Sequence, residues 1–134
     1  MFEVKLQTYW ADTDAAGIVY FSHFFRLVEQ AEEELFRASG KNRQTLLEEN
    51  QIWMPRVEAF SKFQRPIRNG MAVRVRLNPR LKGQKTIRYE FEILPEDGED
   101  RLAEGYVTIV VVDRSRFKGV PVPESFRKVL GLAQ

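Results

Sequence analysis

The sequence predicts an α+β fold: a five-stranded antiparallel sheet with one long helix inserted after the first strand. Three observations predict it. Apolar residues recur at helical spacing between Ser22 and Gly40, alternation of period two takes over from Met54, and turn signals separate the later strands.

Residues 2–10 alternate loosely and end in Tyr9-Trp10, which reads as the first strand. Ser22 stands at the N-cap position of a helix running to about Ser39, with Gly40 as its stop. Phe24, Leu27, Val28, Ala31, Leu35 and Ala38 fall on one stripe, as burial against a sheet requires. Phe25 and Phe36 lie beyond that stripe, so the helix is expected to be covered on more than one side. A short helix over Arg43 to Asn50 follows.

Val57 to Ile67 reads as a strand closed by Pro66, and Asn69-Gly70 is a turn signal. Met71, Val73, Val75 and Leu77 then face one way while Ala72, Arg74 and Arg76 face the other. Asn78-Pro79 and Lys82-Gly83 bracket the next connection, and Ile87, Tyr89, Phe91 and Ile93 alternate with Arg88, Glu90 and Glu92. A turn over Pro95 to Asp100 leads to "LAEGYVTIVVVD", whose continuous apolar run suits a central strand covered on both faces. Pro121 and Pro123 break the ladder, and Pro123 fits N1 of a last helix through Leu130. The four strands after the long helix therefore read as a meander. One helix cannot hide five strands, so self-association as a homodimer or homotetramer is the economical cover.

At 134 residues, 43% hydrophobic and 30% charged, the chain is expected to form one domain over 1–134. No apolar run approaches bilayer-spanning length, and "MFEVKLQTYW" lacks the layout of a signal peptide. Without cysteine there is no disulfide framework, thiolate nucleophile or thiolate metal site, and a cytoplasmic location is expected. The net charge of +2 argues for no nucleic-acid partner. Basic residues do cluster between Ala59 and Tyr89, and seven acids follow from Glu90 to Glu104. Reading that cluster as a nucleic-acid surface requires stacking aromatics among the cations, whereas the aromatics there are expected mostly on core positions.

His23 is the only histidine, and no Gly-x-Ser-x-Gly elbow, clustered metal ligands or phosphate-binding Gly-rich loop occurs. Carboxylate chemistry assisted by backbone dipoles remains. Asp12 and Asp14 precede Ala15-Ala16-Gly17 and then the helix, whose first-turn N–H groups lack internal partners. A carbonyl oxygen placed there would be polarised, with the Asp14 carboxylate brought to its other side. Gly17 fits a sharp turn or a close approach to a ligand. On residue types alone, Asx-turns or caps are the favoured reading of both aspartates.

The stretch "YWADTDAAGIVYFSHFFRLVEQAEEELFRASG" resembles the signature of the 4-hydroxybenzoyl-CoA thioesterase class of hotdog-fold proteins. That pattern is an aromatic, Asp-x-Asp, two small residues, Gly-Ile/Val-Val-Tyr/Phe and a long central helix. Tyr9, Asp12, Thr13, Asp14, Ala15, Ala16, Gly17, Ile18, Val19 and Tyr20 meet it, and the later "AEG" and "PVPESFRKVL" extend the match. The resemblance implies a hotdog fold, with an antiparallel five-stranded sheet wrapped around one long central helix and short accessory helices. It implies an acyl-CoA thioesterase with no metal or cofactor, coenzyme A being part of the substrate. Asp14 would be nucleophile or general base, the Phe21 N–H would polarise the carbonyl, and Asp12 would organise the loop. Gly17, Tyr20 and His23 would lie along the substrate. His23 would orient Asp14, touch substrate or pack at the helix start.

Another hotdog branch uses a glutamate within the helix, for which Glu29 and Glu32 are the local candidates. Lys82 and Lys85, with Lys118 as a further candidate, would meet the CoA phosphates at a subunit surface. The "VYF..FF" run resembles members acting on 1,4-dihydroxy-2-naphthoyl-CoA, and Phe21, Phe24, Phe25, Trp53, Phe60 and Phe63 would suit an aryl acyl group. The alternative is a non-catalytic hotdog module that binds acyl-CoA or acyl carrier protein.

Overall fold

The computed structural model describes residues 1–132, so the last two residues of the expected domain lie outside the described residues. Strand β1 covers Phe2–Gln7, and a 3-10 turn over Trp10–Asp12 ends the run expected to be one strand. Helix α1 spans His23–Ala38 and helix α2 Arg43–Asn50, where Asn42 caps the chain by accepting from Thr45 N–H. Then come β2 (Ile52–Trp53), β3 (Arg56–Phe63), β4 (Ala72–Leu81), β5 (Thr86–Pro95), β6 (Ala103–Val110), β7 (Val112–Asp113) and α3 (Glu124–Leu130). The main sheet is antiparallel in the order β1-β4-β5-β6-β3, and β2 pairs with β7 in a small second sheet.

Alternation on β4 and β5 builds the core. Val73, Val75, Leu77, Ile87, Tyr89, Phe91 and Ile93 are buried on the inner face. Against them α1 lays Phe24, Leu27, Val28 and Ala31, packing on β1 and β4. Each large apolar side chain so buried contributes about 1.5–3 kcal/mol. Phe36 is also fully buried, edge-on to Phe126 of α3 with ring centroids 5.8 Å apart. The apolar stripe therefore curls around the helix toward α3, and Ala38, expected on it, is exposed. This is the hotdog arrangement, one helix held in the palm of an antiparallel sheet.

Four expectations are corrected. The strands after α1 are not a four-strand meander: only β4, β5 and β6 are consecutive neighbours, while β3 lies at the far edge beside β6. Pro66 cannot donate to a ladder, and Gln64 and Arg65 N–H both turn to Leu102 O, so the chain leaves the sheet after Phe63. Asn69-Gly70 then makes a turn within the crossover rather than a hairpin. Second, β4 runs through Asn78-Pro79 to Leu81; β1 pairs with β4 only to Leu77, so Pro79 sits where one side is already an edge. Third, the run "TIVVVD" is split between β6 and β7, and only part of β6 is covered on both faces, since Glu104, Gly105 and Tyr106 remain half-buried. Fourth, Pro123 precedes the first turn of α3 as its N-cap rather than occupying N1.

The outer face of the sheet is a lattice of opposite charges. Arg76 pairs with Glu3 at 2.7 Å and Glu99 at 3.0 Å, Arg80 with Glu90 at 2.6 Å, and Arg101 with Glu104 at 2.8 Å and also with Glu92. The basic and acidic blocks of the sequence thus neutralise each other across neighbouring strands.

Candidate active site

Residues 13–19 form a small hairpin. Thr13 bridges Val19, Asp14 N–H donates to Ile18 O at 3.0 Å, and Gly17 N–H donates to Asp14 O at 3.0 Å. Gly17 turns the chain at φ 78°, a left-handed conformation that side chains disfavour. The hairpin docks on the crossover segment, where Val19 N–H donates to Ile67 O at 2.7 Å and Ile18 bridges Arg68.

Asp14 is exposed at this tip. Its Oδ1 accepts the Ala16 N–H at 2.8 Å, an Asx-turn that fixes the carboxylate. Its Oδ2 has no partner among the described residues. The Asx-turn and the chemical reading of Asp14 therefore coexist, one oxygen anchored and the other open. Asp12 points the other way: Oδ2 accepts the Tyr9 N–H at 2.9 Å, and Oδ1 lies 3.4 Å from His23 Nδ1 and 4.0 Å from an Arg26 nitrogen. Its carbonyl accepts the Tyr20 N–H at 2.9 Å. Asp12 ties the loop together.

The entrance to α1 departs from a simple cap. Ser22 has helical backbone angles (φ −69°, ψ −24°), and its hydroxyl caps nothing. Instead the carbonyls of Tyr20, Phe21 and Ser22 accept the N–H groups of His23, Phe24 and Phe25 at 2.8, 3.3 and 3.2 Å. This moves the orphan donors of the helix upstream. Among the described residues the N–H groups of Phe21 and Ser22 meet no acceptor, and both residues are exposed at the positive end of the helix dipole.

Asp14, Tyr20 and Phe21 share the wall of a groove of about 380 Å³ with Ile18, Val19 and Phe24. The opposite wall is Phe63, Gln64, Arg65 and Pro66, from the end of β3 and the crossover. Phe63 stands edge-on to Phe24 at 4.9 Å and to Phe21 at 6.3 Å, giving the groove an aromatic lining. Phe63 was expected from its aromatic character; Gln64, Arg65 and Pro66 were not, and Pro66 breaking the strand was the signal available.

The other expected residues are dispersed. Gly17 shapes the turn without lining the groove, and His23 lies behind it against Asp12. Phe25 packs on Phe91, Phe60 lies on the outer face against Tyr106, and Trp53 lies beneath the Arg114 guanidinium at 3.8 Å. Three of the six aromatics therefore reach the groove. Lys82 and Lys85 occupy the β4–β5 connection, at the opposite end of β4 from the groove, roughly 30 Å away at 3.3 Å per residue. The Lys85 chain packs against Gly119, next to Lys118, so the three lysines share that edge. Within one chain they do not join Asp14.

Glu32 is consumed by structure. Its Oε1 accepts from Arg43 at 2.9 Å and from Arg56, and its Oε2 accepts the Tyr89 hydroxyl at 2.7 Å. Glu29 lines a separate, charged cleft of about 490 Å³ toward the far end of α1. Among the described residues no cluster of His, Cys, Asp or Glu is arranged to hold a metal ion. No helix among them is long and apolar enough to cross a membrane.

A hotdog sheet around a helix whose free N–H groups stand beside a carboxylate on one wall of an aromatic groove is the framework of a thioester hydrolase. The sequence profile of the thioesterase-like superfamily matches residues 8–130, and the chain belongs to that superfamily. It is 28% identical over 123 residues, 92% of this chain and 88% of the relative, to a 1,4-dihydroxy-2-naphthoyl-CoA hydrolase of Microcystis aeruginosa. A shorter stretch of 51 residues, 38% of each chain, is 39% identical to an acyl-CoA thioesterase of Haemophilus influenzae. The crystal structure of a 1,4-dihydroxy-2-naphthoyl-CoA thioesterase from Synechocystis superposes with a TM-score of 0.90 at 25% identity, covering 97% of this chain and 95% of that one.

Proposed function

We propose that the protein hydrolyses an aryl acyl-CoA thioester to the free acid and CoA, with Asp14 and the Phe21 N–H as its working groups. The observation that carries this reading is the groove whose one wall holds Asp14, with its open Oδ2, and Phe21, whose N–H is unpartnered among the described residues. The thioester carbonyl oxygen points at that N–H, which holds the oxyanion as the carbonyl carbon becomes tetrahedral. Asp14 either attacks that carbon, expelling the CoA thiolate and leaving an anhydride that water then hydrolyses to the free acid, or takes the proton from a water that attacks as the CoA thiolate leaves. No metal or cofactor enters this chemistry. The edge-on rings of Phe21, Phe24 and Phe63 support an aromatic acyl group, and the substrates named for the relatives above point the same way.

The protein acts as a self-associated dimer or tetramer in this reading. On the edge strand β3, Val57 and Phe63 are 58% and 47% exposed, surface that a second copy would cover. Across such an assembly, Lys82, Lys85 and Lys118 of one copy can serve the CoA phosphates of the other. The lack of cysteine is in keeping with a cytoplasmic setting.

Purified protein is assayed against aryl- and fatty-acyl-CoA esters by release of free thiol. The expected result is turnover with preference for aryl esters. Tight binding of acyl-CoA without turnover of any ester would establish the non-catalytic binding module instead.

A further inference from the structure

The crossover side of the groove contains a cation, Arg65, that is only weakly engaged among the described residues. The backbone N–H groups of Gln64 and Arg65 both donate to Leu102 O, at 2.9 and 3.1 Å, and Pro66 stiffens the chain directly after them. This fixes where the two side chains start. The Gln64 amide is committed, donating to Glu104 at 2.8 Å. The Arg65 guanidinium is not: its one partner among the described residues is Asp100 at 3.6 Å, beyond hydrogen-bond distance, with the two side chains 60% and 80% exposed. An ion pair so exposed holds its members weakly. Arginines of the neighbouring strands differ, since Arg74, Arg76, Arg80, Arg88 and Arg101 each donate hydrogen bonds to carboxylates or carbonyls.

We propose that Arg65 is a specificity-determining residue, whose guanidinium reads an acceptor oxygen on the edge of the aryl ring held in the groove. The inference rests on the thioesterase reading of that groove and adds the polar half of its substrate. Apart from Asp14, Arg65 is the only charged residue among the described residues that line the groove; it comes from the crossover segment rather than the helix entrance, and its weak partner Asp100 lies outside the lining. With its carbonyl at the Phe21 N–H, an acyl group directs its far edge across the groove toward Phe63 and Arg65. Aromatic rings supply contact there but do not distinguish a bare ring from an oxygenated one. A planar, permanently charged donor fork does. Five N–H donors without a strong intramolecular acceptor bind a ring oxygen with little to displace. A site built to bind such an oxygen rejects the ring that lacks it.

The test compares benzoyl-CoA with 4-hydroxybenzoyl-CoA in the wild type, Arg65→Gln and Arg65→Lys, reading kcat and KM separately. The expected result is a wild-type preference in kcat/KM for the hydroxylated ester. In Arg65→Gln that preference shrinks about tenfold or more, chiefly through KM, as loss of a charged hydrogen bond implies. Arg65→Lys restores part of it. A parallel measurement by calorimetry uses the non-hydrolysable phenacyl-CoA and 4-hydroxyphenacyl-CoA, so the same ratio is read even if no ester is turned over. Absence of turnover with an Arg65-dependent binding preference overturns the hydrolase reading and leaves this inference standing. An unchanged ratio in Arg65→Gln, or an equal loss for both members of each pair, overturns the inference. The equal loss would place Arg65 on the CoA moiety or in the electrostatics of Asp14.

Discussion

Glu32 lies midway along α1 with 1% of its surface exposed, where an unmatched carboxylate would cost several kcal/mol. Arg43 from α2, Arg56 from the start of β3 and Tyr89 from β5 satisfy it together, so one side chain ties three elements to the helix. Replacing it by alanine leaves two arginines without their buried anion, and chemical denaturation should record a loss of about 3–5 kcal/mol. Tyr89→Phe removes one hydrogen bond to that carboxylate, a loss of about 1–3 kcal/mol. Burial, reinforced by the Glu32 charge, pushes the Tyr89 phenol well above its ordinary value. A pKa raised on folding stabilises the protein fully below the unfolded value of about 10 and loses that contribution as pH rises beyond it. Stability followed from pH 8 to 11 should therefore fall steeply above about 10 in the wild type and less steeply in Tyr89→Phe. In the sequence, Glu32 opens the run Glu32-Glu33-Glu34, and nothing local announces that one of the three is buried.

At the scale of elements, legibility follows locality. The bounds of α1 and α2 and the alternation of β4 and β5 are set by neighbouring residues, and the sequence shows them within a residue or two. One wall of the groove is equally local, because Asp14, Gly17 and the helix entrance are consecutive. The other wall depends on β3 lying beside β6, and a strand's partner is not written in its own alternation. Asn69-Gly70 has the chemistry of a hairpin turn whether it closes a hairpin or, as here, a crossover. Gly105 marks the true pairing. A Cβ built there would lie 1.9 Å from the Phe60 carbonyl oxygen, so β3 approaches β6 as closely as it does only because residue 105 has no side chain. Gly105→Ala should push β3 outward and cost about 1–3 kcal/mol or more. Amide exchange should show the loss of protection concentrated in β3 and β6, whereas a uniform loss would contradict this placement.

For the whole molecule, the segregation of charge along the chain disappears in space. Arg76 and Arg74 hold the Glu99 carboxyl below the usual carboxylate range, and the basic strands face acidic ones. The charges of the outer sheet face are thereby occupied with one another, and the β3 edge carries exposed apolar side chains in Val57, Phe60 and Phe63. If a second copy covers it, Val57→Lys should shift the sedimentation coefficient from dimer or tetramer toward monomer; an unchanged value would place the interface elsewhere. The central claim concerns the carboxylate beside the helix entrance, and Asp14→Asn tests it most directly. The amide keeps an oxygen to accept the Ala16 N–H, so the turn and the melting temperature should stay close to wild type. With the best aryl-CoA ester, kcat should fall by about 10² or more, because the nucleophile or base is gone while the oxyanion donors remain. A kcat within a few-fold of wild type, in a variant that melts normally, would contradict the account.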